Sequence, residues 1–255
     1  MSKEIKLTGC GCNDCDCNSG QEIVEGTMES QELTIMEPIS EVIRNRVKAA
    51  NTKFFCNDNI SEYLEPGDRE KLIDEVAEKM EGVLKSLVID IDHDHNTHDT
   101  ARRVAKMFVN ETMGGRFKPM PAVTSFPNAS EYEGLYTIGP IKIRSMCAHH
   151  LMPIFGDCWI GVSPGAKVIG LSKFNRIADW VSARPSIQEE LTSQIADEIS
   201  RVAEAPGVAV LIKATHGCCT MRGVRVDNNI MTTSVMRGEF LTNADLKKEF
   251  LSLTK

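Results

Sequence analysis

The chain has 255 residues, 42% of them hydrophobic and 25% charged, a composition typical of a globular protein with one well-buried core. Its formal net charge of −7 argues against a general nucleic-acid-binding protein, because such proteins carry a basic surface. The sequence contains no run of about 18 apolar residues, which argues against a membrane span.

Residues 1–37 are rich in Gly, Asn, Glu and Ser and lack sustained periodicity, so we expect a disordered tail. This segment has no apolar stretch typical of a secretory signal. Nine cysteines without an export signal are more readily interpreted as thiols and metal ligands than as disulfides, so we expect a cytoplasmic protein. Four of these thiols either bind a soft metal or form no stable site: Cys10, Cys12, Cys15 and Cys17.

Residues 38–115 are predicted to be helical. A first helix is expected from Ile39 to about Asn51, and Pro66-Gly67-Asp68 favours the start of a second. Asp99-Thr100 is typical of the cap of a third helix. Between the second and third helices, Asp92-His93-Asp94-His95 together with His98 resembles a metal site but is more simply an exposed polar loop. The second helix has apolar residues at i+3 and i+4 spacing, namely Leu72, Val76, Met80, Val83, Leu84 and Leu87.

Residues 116–255 are predicted to form the main domain. Helices followed by a mostly antiparallel sheet favour an α+β fold over a doubly wound one. Neither G-x-G-x-x-G nor a Walker-type loop is present in the sequence. The predicted elements are strands Leu135–Met146 and Ile154–Val162, a helix from Leu171 to about Val181, a longer helix capped by Ser186, paired strands Gly207–Thr215 and Val224–Met236, and a terminal helix around Asp245–Leu253.

Two clusters of cysteine and histidine follow predicted strands. The first is Cys147-Ala148-His149-His150, and the second is His216-Gly217-Cys218-Cys219. Thiolate and imidazole ligands suit zinc. The set Cys147, His150 and Cys218 would leave a fourth position for water, which is the arrangement of a catalytic zinc site.

Two alternatives to this catalytic site remain open. A closed structural zinc site would use Cys219 as the fourth ligand, although adjacent residues on extended backbone point to opposite faces. The residues could also be buried thiols and a hydrogen-bonded histidine without any metal. The two further histidines, His149 and His216, could each act as general acid or base or orient a ligand.

Five segments together resemble GTP cyclohydrolase I in their order and spacing, from Asp99 to the C-terminus: DTARRVAKM, SMCAHHLMPIFG, GLSKFNRIADW, IQEELTSQIA and ATHGCCTMRGV. The resemblance implies a T-fold enzyme, with an antiparallel sheet and helices packed on one face, assembled as a toroidal homodecamer. It implies opening of the guanine ring of GTP, with release of formate and formation of dihydroneopterin triphosphate. That product could enter pterin and folate or deazapurine biosynthesis. The implied domains are a tail (1–37), a helical region (38–115) and a catalytic T-fold domain (116–255).

The resemblance also implies roles for individual residues. It makes Cys147, His150 and Cys218 the zinc ligands, with His149 and His216 as catalytic histidines. A carboxylate can accept from guanine N1–H and N2–H together, which suits Glu189, and Gln188 is expected beside it in substrate binding. Ser172 is implied in the later rearrangement of the sugar, although it could instead cap a helix. The expected phosphate-binding residues are Lys173, Arg176, Arg222 and Arg103.

Three positions depart from the pattern that the resemblance suggests. Ala148 replaces a glutamate beside the metal ligands, and Glu190 replaces an arginine beside the guanine-binding carboxylate. Ala101 replaces a proline at the start of a helix, where little effect is expected. The first two changes motivate an alternative hypothesis of a non-catalytic nucleotide-binding oligomer. A T-fold nitrile oxidoreductase is a further alternative, but it requires a cysteine nucleophile and reduced nicotinamide instead of zinc.

Overall fold

The computed structural model describes residues 37–227 and 229–254, so the predicted tail and its four cysteines lie outside the described residues, except for residue 37. The three predicted helices are present as α1 (Ile39–Ala49), α2 (Asp68–Ser86) and α3 (Thr100–Met107). A π-helical turn, Phe108–Thr112, connects α3 to the short helix α4 (Gly114–Phe117).

Helix α2 buries a narrower face than its sequence predicts. Val83 and Leu87 were expected in the apolar stripe, but they are 49% and 65% exposed. The reason is that α3 has eight residues and α2 has 19, so α3 covers only part of one face of the longer helix. The buried residues between the two helices are Leu72, Ile73 and Ala77 of α2, Ala105 of α3, and Val109.

The remaining elements form an α+β arrangement, as predicted. The strands are β1 (Ser125–Pro127), β2 (Tyr136–Cys147), β3 (Pro153–Ser163), β4 (Lys167–Ile169), β5 (Pro185–Ser186), β6 (Gly207–His216) and β7 (Met231–Gly238), and the helices are α5 (Leu171–Ser182), α6 (Gln188–Ala203), α7 (Gly217–Thr220), α8 (Glu239–Thr242) and α9 (Ala244–Leu253). The main sheet has the strand order β5–β2–β3–β6–β7, and β1 pairs with β4 in a separate two-stranded sheet. All pairings are antiparallel except the short one between β5 and β2.

The main core lies between one face of the sheet and the helices α5 and α6. Alternate residues of β6 supply that face, and the intervening Ala209 and Leu211 lie on the other face under Phe240 and Phe250. The opposite face therefore also carries helices, α8 with Phe240 and α9 with Phe250. Buried residues at the centre of the main core include Ile143, Ile154, Ile160, Phe174, Ile177, Leu191, Ile195 and Ile212.

The strand that pairs with β6 begins at Met231, so its predicted start at Val224 is wrong. The register Ala214↔Met231 means that the chain must reverse direction between them, and the first part of that connection is the helical turn α7. Val224 and Ile230 in the connection are 73% and 61% exposed. Their apolar character therefore does not reflect burial within this chain.

The predicted side-chain caps are not formed. The carboxylate of Asp99 accepts from Arg103 at 3.2 Å instead of capping α3. Ser186 belongs to β5, its hydroxyl donates to the carbonyl of Ile187, and Ile187 is the residue that caps α6. Ser172 lies one residue inside α5, because Gly170 occupies the capping position.

Buried Arg184 connects the N-terminal helical region to the sheet. Its guanidinium donates to the carbonyls of Gly115 and Asn57, both at 3.2 Å, and stacks 3.9 Å from the centre of the Trp180 ring. Burial lowers the pKa of Arg184 to about 10, so the group stays charged at neutral pH. In the part of the chain that the structure describes, no helix is both long and apolar enough to cross a bilayer.

Candidate functional site

The ends of three neighbouring strands bring the two Cys/His clusters together. Met146, next to the end of β2, pairs with Pro153 at the start of β3. The next residue of β3, Ile154, pairs with His216 at the end of β6. The start of β3 therefore lies between the two clusters, which follow β2 and β6.

The donor atoms of Cys147, His150 and Cys218, which we call the triad, all lie within 4.8 Å of one another. Among the described residues, this is the one group of at least three side chains placed to share a metal ion. A zinc ion with bonds of about 2.0–2.3 Å would draw such atoms somewhat closer together. The tight turn after β2 sets the spacing of the first two, because the N–H of Leu151 donates to Cys147 at 2.9 Å and Leu151 has a φ of 52°. Two thiols and one imidazole form a donor set that fits zinc.

Cys218 and Cys219 do not lie on extended backbone, contrary to the sequence-based argument. Both belong to the helical turn α7, and their sulfur atoms are 3.9 Å apart. Cys219 nevertheless does not belong to the group of mutually close donors. Burial, followed by hydrogen bonds and charge from Cys147 and Cys219, raises the pKa of Cys218 to about 11. A metal cation would replace that proton on binding.

His216 is held by a buried glutamine. The Nε2 atom of His216 lies 2.7 Å from Oε1 of Gln188, a residue that is fully buried. The Nε2 atom of Gln188 lies within 3.2 Å of three oxygen atoms, those of the Ile212 and Met231 carbonyls and the Thr233 hydroxyl. These acceptors fix the orientation of the amide, so its oxygen must accept from Nε2–H of His216.

Two consequences follow for these residues. Neutral His216 carries its proton on Nε2 and has its lone pair on Nδ1. Burial lowers the pKa of His216, and the charge of Glu189 partly opposes that shift. The family resemblance implied a substrate-binding role for Gln188, but both ends of its side-chain amide form hydrogen bonds within the protein.

The two glutamates that begin α6 have different surroundings. Glu189 is exposed and close enough to His216 to influence its charge. Glu190 instead accepts a hydrogen bond of 2.8 Å from the side chain of Asn57. The carboxylate of Glu190 therefore holds the loop between α1 and α2, to which Asn57 belongs. Sequence reasoning missed Asn57, because nothing in its local pattern indicates a partner 133 residues away.

The predicted basic residues lie on two helices, α3 and α5, and in the connection that follows α7. Arg222 contacts the triad directly, with its Nη1 atom 2.9 Å from Nε2 of His150. Lys173 and Arg176 lie on α5, where Ser172 is exposed at the first turn. Arg103 lies on α3 and forms an ion pair with Asp99. His149 is exposed, and its ring centre is 6.3 Å from that of His150.

A cavity of about 730 Å³ lies beside the triad's strands without including the triad. Its lining contains Ser145 and Pro153, which are two and six residues along the chain from Cys147. Arg176 also lines it, together with Arg144, a cation that the sequence analysis did not select. Arg144 is exposed on β2, and strand alternation was the signal that could have identified its outward direction.

The comparisons with known proteins agree with the sequence resemblance. A sequence model of the family described as GTP cyclohydrolase I matches residues 76–255. The chain is 39% identical over 182 residues to the GTP cyclohydrolase 1 of Chromohalobacter salexigens, covering 71% of this chain and 98% of that one. The corresponding protein of Corynebacterium glutamicum is 39% identical over 183 residues, with 70% and 93% covered. That of Pseudoalteromonas translucida is 41% identical over 157 residues, with 62% and 85% covered.

Among solved structures, the apo form of an archaeosine synthase QueF-Like protein aligns with a TM-score of 0.33 at 15% sequence identity. That alignment covers 41% of this chain and 92% of the other.

Proposed function

This chain belongs to the GTP cyclohydrolase I family, and we propose that it is a zinc-dependent hydrolase that opens the imidazole ring of guanine in GTP. The products would be formate and 7,8-dihydroneopterin triphosphate. The observation that carries the proposal is the convergence of donor atoms from Cys147, His150 and Cys218 at two strand ends. The comparisons support the reaction class, and the donor set supports the metal.

Zinc bound by these three residues would supply a water of lowered pKa, able to attack guanine C8 near neutral pH. The other parts of the reaction belong to the protein's own side chains. Ring opening requires a proton at guanine N7, and His216 is the proposed donor. Because Gln188 engages Nε2 of His216, the ring nitrogen left to face the substrate is Nδ1. Neutral Nδ1 carries a lone pair, so it must first accept a proton, which the attacking water releases, before it can pass that proton to N7. Gln188 is thus proposed as the residue that orients His216, instead of as a substrate ligand.

Recognition of guanine is assigned to Glu189. Its carboxylate is exposed, directly follows Gln188, the residue that holds His216, and can accept from the adjacent N1–H and N2–H groups of the base. Glu190 contacts Asn57, so its negative charge does not replace a guanine contact. This contact weakens one of the two sequence arguments for a non-catalytic protein.

The triphosphate is assigned to Lys173, Arg176, Arg222 and Arg103, since no phosphate-binding glycine loop occurs in the sequence. His149, adjacent to the ligand His150, is proposed as a second proton-transfer group. Ser172, beside Lys173 on α5, is proposed to act in the later sugar rearrangement. We place the catalytic T-fold domain at residues 116–255, after a helical region at 38–115, in a cytoplasmic protein of pterin, folate or deazapurine biosynthesis.

The remaining argument for a non-catalytic protein is Ala148. Its backbone N–H donates to the Ser186 carbonyl at 3.1 Å, but its side chain offers no carboxylate to the metal ligands. A protein that binds zinc and GTP without releasing formate would support that alternative. Retention of both His149 and His216 favours catalysis, because binding alone does not need two proton-transfer groups.

Metal content and formate release, measured on one preparation, test the proposal. We expect about one zinc per chain and formate release from GTP. Cys218→Ser should lose both, because two protein ligands hold zinc much more weakly than three. Cys56→Ser is the matched control, since Cys56 is an exposed thiol outside the triad, and it should change neither quantity. Zinc-loaded protein that binds GTP without releasing formate would overturn the proposed activity.

A further inference from the structure

The contact between Arg222 and His150 joins a proposed phosphate-binding residue to a proposed metal ligand. Nη1 of Arg222 lies 2.9 Å from Nε2 of His150. Both residues are exposed, and Arg222 follows α7 closely in the chain. In the part of the chain that the structure describes, no carboxylate lies within ion-pair distance of Arg222, so His150 is its recorded partner.

The chemistry of the two groups fixes the direction of this hydrogen bond. A guanidinium has five N–H donors and no acceptor, and it stays protonated in proteins. Nε2 of His150 must therefore accept, using the one in-plane lone pair of the neutral ring. The proton of that ring is then on Nδ1. Both nitrogens of His150 are committed while Arg222 is bound.

A metal ion cannot be added to this arrangement at either nitrogen. A metal at Nε2 would take the lone pair that Arg222 uses. A metal at Nδ1 would move the ring proton to Nε2, where it would face an N–H of Arg222. Ligating histidines normally donate their second N–H to a carboxylate, a carbonyl or water, and arginine supplies none of these acceptors.

We propose that metal binding displaces Arg222 from His150, and that the displaced guanidinium becomes available to the phosphate chain of the substrate. This inference rests on the proposed metal and phosphate roles and adds a coupling between them. A guanidinium released beside a divalent cation needs an anionic partner, and planar N–H pairs match phosphate oxygens. Zinc and polyphosphate therefore bind cooperatively, because each of them breaks the Arg222–His150 hydrogen bond, which opposes binding of the other.

Such a coupling is reciprocal, because the factor by which zinc strengthens polyphosphate binding equals the factor by which polyphosphate strengthens zinc binding. The Arg222–His150 hydrogen bond is exposed, so we expect a modest factor of about tenfold. Arg222→Met removes the competitor for His150 and should tighten zinc binding by about the same factor. It should also abolish the dependence of polyphosphate binding on zinc.

The first experiment measures zinc affinity by competition with a coloured chelator, without phosphate, for the full-length protein and two variants. Arg222→Met should bind zinc about tenfold more tightly than the unaltered protein. Arg225→Met is the matched control, because it removes an exposed positive charge three residues away without a recorded contact to His150. Equal zinc affinity in Arg222→Met and the unaltered protein would overturn the proposal, as would equal gains in both variants.

The second experiment measures binding of inorganic tripolyphosphate by calorimetry to zinc-loaded and zinc-free protein. The unaltered protein should bind tripolyphosphate about tenfold more weakly without zinc, and Arg222→Met should bind it equally in both forms. No zinc dependence in the unaltered protein would overturn the coupling. Failure of the proposed function looks different, since it appears as absent zinc binding or absent formate release in the unaltered protein.

Discussion

Glu189 and Glu190 are adjacent at the start of α6, but only Glu189 is proposed to bind the substrate, whereas Glu190 holds a loop of the protein. Glu189 is exposed near His216, whereas Glu190 accepts from Asn57. On a helix, neighbouring residues point about 100° apart, so the two carboxylates cannot serve the same ligand. A comparison of the two isosteric substitutions therefore separates base recognition from loop attachment.

Glu189→Gln should lower kcat/KM for GTP by about 100-fold, because a neutral amide cannot accept two charge-assisted hydrogen bonds from guanine. Steady-state formate release measures this loss. Glu190→Gln is the control, and it should keep kcat/KM within about twofold because its amide oxygen can still accept from Asn57. Equal losses in the two variants would contradict the assignment of Glu189.

Gln188 offers a second test at this scale. Gln188→Met keeps the length of the side chain but removes the acceptor that holds His216, so we expect kcat to fall by about 10- to 100-fold with KM changed by less than about threefold. Gln194→Met, on the same helix, removes an amide that contacts Asn57 instead and should leave kcat unchanged. A raised KM with unchanged kcat would instead support direct contact between Gln188 and the substrate.

The sequence identified side chains with distinctive chemistry more readily than their local partners. Cys147, His150 and Cys218 could be chosen because thiols and imidazoles cluster after two strands. The orientation of the Gln188 side chain could not be predicted from the sequence, because it is set by backbone carbonyls of β6 and β7 near the start of α6. Arg222 was identified from the family resemblance as a phosphate-binding residue, but its contact with His150 depends on the path of the chain after α7.

The helices and strands themselves were predictable where periodicity was strong. The bounds of α1, β3 and β6 agree with the sequence patterns to within about two residues. The predicted caps at Asp99 and Ser186 failed for another reason, because these side chains bind Arg103 and the Ile187 carbonyl in the folded chain. The start of β7 failed because exposed β-branched residues look the same in sequence as buried ones.

The junction of α1 and α2 depends on one buried carboxylate. Asp68 accepts from the backbone N–H of Glu65 at 2.8 Å and from Arg46 of α1 at 2.5 Å. Burial alone would raise the pKa of Asp68, but the hydrogen bonds from Glu65 and Arg46 outweigh it and lower the pKa below its ordinary value. The carboxylate therefore stabilises the fold in its charged form.

We expect Asp68→Asn to lower the free energy of unfolding by about 1–3 kcal/mol at neutral pH. Because the folded-state pKa lies below the unfolded one, this contribution is complete above the unfolded pKa and is lost as pH falls through the folded value. The difference in thermal midpoint between the variant and the unaltered protein should therefore shrink as pH falls from about 6 toward 3. Glu78→Gln, an exposed change on the same helix, should show no such difference, and a pH-independent effect of Asp68→Asn would contradict the assignment.

In the whole molecule, the main sheet has two edges that are incompletely paired within the described chain. β7 pairs only with β6, and β2 has β5 as an outer neighbour only at Met146 and Cys147. Open strand edges present unpaired N–H and C=O groups, which proteins normally cover or pair. Pairing of β7 in one copy with β2 in the next would cover both edges, and such head-to-tail contacts form a ring when the rotation between copies closes.

Exposed apolar residues near β7 support the same assembly. Ile230 immediately precedes the edge strand, and Val224 lies earlier in the same connection. They are 61% and 73% exposed, although their side chains are among those that usually lie inside proteins. We therefore expect light scattering coupled to size-exclusion chromatography to give the mass of a closed oligomer, ten chains by family resemblance. Ile230→Asp should lower that mass, because a buried carboxylate without a partner is costly at an interface. Leu253→Asp, an equally polar change at an exposed residue of α9, should leave the mass unchanged. A single-chain mass for the unaltered protein would show that the two edges stay open and would contradict the ring.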